Sequence, residues 1–191
     1  MYSSIALFSL VPLVSSLALP QTGAPSAPQQ FRLQNIASHF MGDNSGIANG
    51  AWPPGTGFNT TISFTFAQDF ANTTVSTAPT AVGCSAQWVP KGTGAQAYPT
   101  DWVECVNDGG FYWKFQKSAD MDKGYAGAFL MDIRFDGIVN GVNHQFLATA
   151  NVTANDYTPG ANSLQCLGGA PLTGIHCTQP NGPFTIPVSG A

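Results

Sequence analysis

Residues 111–116 read Phe111-Tyr112-Trp113-Lys114-Phe115-Gln116. Phe111, Trp113 and Phe115 share one parity; Tyr112, Lys114 and Gln116 share the other. Apolar residues at every second position mark a strand with one buried face. Three large rings on that face demand a core to receive them. The pattern recurs on either side. In 126–136, Phe129, Met131, Ile133 and Phe135 oppose Leu130, Asp132, Arg134 and Asp136. In 142–152, Val142, His144, Phe146, Ala148, Ala150 and Val152 oppose Asn143, Gln145, Thr149 and Asn151. Ile62, Phe64 and Phe66 alternate with Thr61, Ser63 and Thr65, a half-buried strand rich in β-formers. Shorter candidates are 31–38, with Phe31 and Leu33 on one face, and 80–89, 102–106 and 184–188. Asn107-Asp108-Gly109-Gly110 signals a hairpin, and Asp136-Gly137 with Asn140-Gly141 a second turn. No window carries a convincing helical period. The expectation is an all-β fold: a single antiparallel barrel or sandwich of about eight strands over residues 31–191. Residues 40–58 read as a long loop, and 154–183 is too long for an ordinary one.

Composition narrows the setting. The chain has 191 residues, enough for one domain with a real core. Charged residues are only 8%, and the net charge is −4. The six basic residues (Arg32, Lys91, Lys114, Lys117, Lys123 and Arg134) form no run. Nucleic-acid binding needs a basic footprint, so that partner class is set aside, as is a polybasic membrane-surface signal. The apolar run 5–17, followed by small residues at Ser16 and Ala18, marks 1–18 as a signal peptide. It is too short to span a bilayer, so no membrane insertion is expected. Residues 19–30, with Pro20, Pro25, Pro28, Gln21, Gln29 and Gln30, read as a flexible leader. A secreted, extracellular chain is expected. In that setting Cys84, Cys105, Cys166 and Cys177 read as two disulfides, with three connectivities to choose from. The sequence-local pairing, Cys84–Cys105 and Cys166–Cys177, is favoured. Asn59-Thr60-Thr61, Asn72-Thr73-Thr74 and Asn151-Val152-Thr153 match the glycosylation pattern. Asn59 and Asn151 share parity with polar, solvent-facing neighbours.

Catalytic chemistry finds little support. No Gly-x-Ser-x-Gly elbow exists, and His39, His144 and His176 stand apart in sequence. Glycoside hydrolysis usually needs two carboxylates. Glu104 is the only Glu, and Asp132 and Asp136 share their face with Arg134, which reads as a solvated charge row. Asp120-Met121-Asp122-Lys123 lacks the ligands of a calcium loop and reads as a polar turn. The chain is expected not to be an enzyme, with no catalytic residues, no metal and no cofactor. Binding is the remaining class. Trp52 sits in the loop Ala51-Trp52-Pro53-Pro54-Gly55, either exposed for contact or folded back to plug a barrel end. Trp88 and Tyr98 could join Trp102 in a platform, although Trp102 fits core packing better.

Cys84-Ser85-Ala86-Gln87, then Trp102 and Cys105, then Phe111, Phe115 and Ala148-Thr149-Ala150, resemble the major Alternaria allergen family of small secreted fungal proteins. The likeness covers residues 80–153 well, and 36–40 and 57–66 more faintly. It implies an antiparallel barrel of a fungus-restricted type, the same two disulfides and no established catalytic residues. Members include allergens and elicitors of plant defence or cell death. Some dimerise through an additional amino-terminal cysteine, which this chain lacks, so a monomer or non-covalent dimer is expected. The resulting expectation is a secreted effector or elicitor, a virulence factor that binds a host plant protein or small ligand. A carbohydrate- or small-ligand-binding wall protein is the alternative, and a glycoside hydrolase a third.

Overall fold

The computed structural model describes residues 28–70, 81–106, 110–139, 142–180 and 182–189. The expected signal segment, most of the expected leader, Asn72, and residues 107–109 and 140–141, where turns are expected, lie outside them. Ten strands are present among the described residues: β1 Pro28–Phe40, β2 Thr60–Phe70, β3 Ala81–Trp88, β4 Val103–Glu104, β5 Phe111–Phe115, β6 Phe129–Val139, β7 Val142–Ala154, β8 Ser163–Gly168, β9 Ile175–Thr178 and β10 Phe184–Pro187. One helical turn, α1 Ala119–Asp122, precedes β6. Its Ser118 cap accepts a hydrogen bond from the Met121 amide, and Met121 is buried.

The strand order is β3-β2-β1-β9-β8-β7-β6-β5-β4, with β10 on β1. The Cys84–Cys105 disulfide draws β3 onto the end of β4, and the Val106 amide donates to the Gly83 carbonyl at 3.0 Å. The sheet is therefore a nearly closed barrel. The second disulfide, Cys166–Cys177, joins directly paired residues of β8 and β9. Both pairings are the expected ones. The expected all-antiparallel pairing needs correction. The barrel is mixed, because β8 runs parallel to β7 (Thr153 beside Ser163, Ala154 beside Leu164). Residues 154–183, too long for an ordinary loop, contain β8 and β9.

The alternating segments fold as their parity demands. Phe111, Trp113, Phe115, Met131, Ile133, Phe135 and Phe146 are all essentially solvent-free. Trp113 meets Phe64 edge to face at 5.1 Å and Phe111 meets Phe66 edge to face at 4.7 Å, while Phe135 and Phe146 stack. Asp136-Gly137 is not a turn; β6 runs through it, and Gly137 pairs with His144. A Cβ at Gly137 would lie 2.4 Å from the Phe135 ring, so the position needs glycine to let that ring pack.

β1 changes its inward parity. Phe31 and Leu33 point in, then Ile36, Ser38 and Phe40. The cause is a bulge between Gln34 and Ala37, with Asn35 at a φ of 54°. Before the bulge β1 pairs with β10, and after it with β9. Gln179 fills the resulting gap. Its side chain accepts from the Ile36 amide at 3.2 Å and donates to the Leu33 carbonyl at 3.2 Å. β1 also starts at Pro28, so 28–30 belong to the barrel rather than to the leader.

Candidate functional site: a cleft at one end of the barrel

β1, β3, β5 and β7 end where β2, β6 and β9 begin, so their connections gather at one end of the barrel. A cleft of about 830 Å³ opens there. Its apolar lining is Met41, Trp52, Phe58, Val89, Pro90 and Tyr125; its polar lining includes Asp43, Asn59, Lys91 and Lys123. Apolar walls with a few placed polar groups are the ordinary make-up of a small-molecule site.

The 40–58 segment is long but built. The Ser45 amide donates to the Gly50 carbonyl at 3.0 Å, and the Asn44 and Asn49 side chains accept from the Gly46 and Ala51 amides. The Leu172 amide donates to the Ser45 carbonyl, fastening the loop to the β8–β9 turn. Trp52 is half-buried, and its indole Nε1 donates to the Gly42 carbonyl at 2.9 Å. Its ring meets Phe58 edge to face at 5.7 Å. Phe58 stacks on His39 at 4.4 Å, and His39 on His176 at 4.0 Å. The two histidines, distant in sequence, are cross-strand partners on β1 and β9. His39 Nε2 lies 2.6 Å from the Thr173 carbonyl, which can only accept, so that nitrogen carries the proton. Tyr125 also lines the cleft, with the Lys123 ammonium 5.8 Å from its ring centroid and 3.7 Å from Asp120.

The three candidate binding aromatics do not form one exposed platform. Trp52 lines the cleft. Trp88 and Tyr98 are only 2% and 7% exposed and pack on Phe115. They form the wall of a neighbouring cleft of about 530 Å³. The Tyr98 hydroxyl donates to Asp122 at 3.0 Å, and burial followed by that bond pushes its phenol above the ordinary value of 10.0. Trp102, expected in the core, is half-buried on the outer wall. There the Lys114 ammonium and the Arg134 guanidinium lie 4.9 and 5.0 Å from its ring centroid, and Arg134 also covers Tyr112 at 4.1 Å.

The carboxylates weighed for hydrolysis sit on that same outer wall. Glu104 pairs with Tyr112 across β4 and β5, and burial followed by the Glu104 charge raises the Tyr112 phenol. Asp132 accepts from Gln116 and Thr149 and pairs with Lys114, while Asp136 pairs with Arg134 at 3.2 Å. None of these lines the barrel-end cleft. Asn59 is exposed at the cleft rim, and Asn151 is exposed on β7 opposite Leu130. Phe58, Tyr125 and Met41 were not among the sequence candidates; Phe58 alone carried a signal, as a second large ring in a Gly- and Pro-rich loop. Compared with known proteins, the chain matches no family model, no curated protein and no solved structure. Its likeness to the Alternaria allergen family therefore rests on the residues quoted above.

Proposed function

We propose that the protein is a secreted binding barrel that holds a neutral glycan or similar amphipathic small ligand in the Trp52–Tyr125 cleft and does no catalysis. The observation that carries this reading is the cleft lining itself. The lining combines the rings of Trp52, Phe58 and Tyr125 with the polar groups of Asp43, Asn59, Lys91 and Lys123. Aromatic rings cover the C–H faces of a sugar, and the rim supplies donors and acceptors for its hydroxyls. The loop is pre-organised by its own hydrogen bonds, which lowers the entropy lost on binding. All four cysteines are in disulfides, and His39 Nε2–H donates to the Thr173 carbonyl. Secretion is supported by the apolar run 5–17 and by the two disulfides, which persist in oxidising compartments. No helix among the described residues is long and apolar enough to cross a membrane. The test is co-sedimentation with insoluble chitin and β-glucan. Wild type is expected in the pellet and a folded Trp52→Ala variant in the supernatant; equal partition of the two would refute the cleft.

A second reading, a host-directed effector or elicitor acting on a plant component, has its own support. The two disulfides follow the pairing that the family likeness implies. Leaf infiltration of intact protein beside a reduced and alkylated control tests it. Cell death or a defence burst from the intact form alone is the expected result, and an equal response to both would overturn it.

A further inference from the structure

The two glycosylation sequons among the described residues stand in different places. Asn151 is exposed on β7 opposite Leu130, away from the lining of the barrel-end cleft. Asn59 is exposed as well, but it is itself part of that lining, one residue after Phe58 and one before β2. We infer that an N-glycan carried on Asn59 lays its first sugars into the cleft and competes there with free glycan, so that occupancy of this one sequon sets the cleft's affinity. This rests on the cleft reading above and adds its regulation.

Three features support the assignment. The attachment point is fixed. Thr60, the next residue, is fully buried, and its hydroxyl donates to the Gly124 carbonyl at 2.8 Å. Thr60 also pairs with Trp88 across β2 and β3. A glycan on Asn59 therefore starts from an anchored strand end, beside the cleft, rather than from a free loop. The same anchor gathers rings around it. Phe58 precedes Asn59, and Tyr125 follows the Gly124 that Thr60 holds; both line the cleft with Trp52. All three rings are only half-buried, so each keeps surface on which the C–H face of a sugar can pack. The third feature is the tether. An N-linked chain begins with an uncharged amino sugar, which offers the C–H faces, hydroxyls and amide that such a lining takes up. Attached at the lining, it acts at an effective concentration of roughly millimolar order, enough to compete with a free glycan held by a few such contacts.

The test uses the chain secreted from a glycosylating eukaryotic host. Glycopeptide mass spectrometry should find Asn59 occupied. Asn59→Gln and Thr61→Val each abolish that sequon through a different residue. Thr153→Val removes the glycan of Asn151 instead; the Thr153 hydroxyl has no hydrogen-bond partner among the described residues, so the fold should not need it. In binding isotherms on insoluble chitin and β-glucan, both Asn59-sequon variants are expected to bind about three- to tenfold more tightly than glycosylated wild type. Thr153→Val is expected to stay within about twofold of wild type. An unmodified Asn59, no gain in either variant, or an equal gain from Thr153→Val overturns the inference and leaves the cleft reading standing. No binding by any folded form, glycosylated or not, overturns both.

Discussion

The β5–β7 wall and the β8–β10 region are held together by different means. β6 and β7 pair without interruption from Phe129 beside Val152 to Val139 beside Val142, over a face of large buried apolar side chains. Many contacts share the load, and each is made again one step along the ladder. β8, β9 and β10 are four to six residues long, and few inward side chains anchor them. They depend on individual devices: the Cys166–Cys177 disulfide, Gln179 in the β1 bulge, and Asn155, whose side chain accepts from the Cys166 amide and donates to its carbonyl. A wall built on pattern should degrade gradually, whereas a region built on devices should fail locally when one is removed.

The largest effect should come from the wall's centre. Trp113→Ala removes a fully buried ring, with an expected loss of about 3–5 kcal/mol in urea unfolding. A loss under about 1 kcal/mol would show that the wall does not carry the core. Next is the double substitution of Cys166 and Cys177 by Ser, expected to cost roughly 2–3 kcal/mol. Hydrogen exchange should then show β8 and β9 amides deprotected while β5–β7 amides keep their protection; uniform loss would erase the contrast. Gln179→Ala should cost about 1–3 kcal/mol by stranding the Ile36 amide and Leu33 carbonyl. Trp102→Ala, half-buried on the outer wall, should cost only about 1 kcal/mol for its cation–π contacts, measured by the same unfolding titration.

Tyr98 has the smallest effect at neutral pH and a directional one in alkali. Its phenol is raised in the folded protein, so the unfolded chain ionises first. The stability it confers is complete below the ordinary value of 10.0 and is lost as pH climbs through the raised one. Tyr98→Phe should flatten that alkaline limb in pH-dependent melts, with Tyr112 retaining its share. An unchanged limb would place the ionisation elsewhere.

The same contrast explains what could be read from sequence. Parity alone identified the faces of β2, β5, β6 and β7, because each strand is long enough for alternation to show and one face meets the core. It misread Gly137, where the Asp-Gly pair resembles a turn but the glycine makes room for Phe135. It missed β8 and β9, whose positions are decided by a disulfide, a parallel pairing and side-chain amides far apart in sequence. Trp52 stood out as a ring in a loop; its partner Phe58 lies further along the same loop, but Tyr125 comes from the connection between α1 and β6. Trp88 and Tyr98 share parity with nothing that reveals a cleft wall.

The central claim is that ligand is held at the barrel end. Amide chemical-shift mapping during titration with a chitin or β-glucan hexasaccharide tests it most directly. The account predicts saturable shifts at Met41, Asp43, Trp52, Phe58, Lys91 and Tyr125, and none at Tyr112, Lys114 or Arg134 on the outer wall. Shifts confined to the outer wall, or no shifts at saturating oligosaccharide, would contradict it.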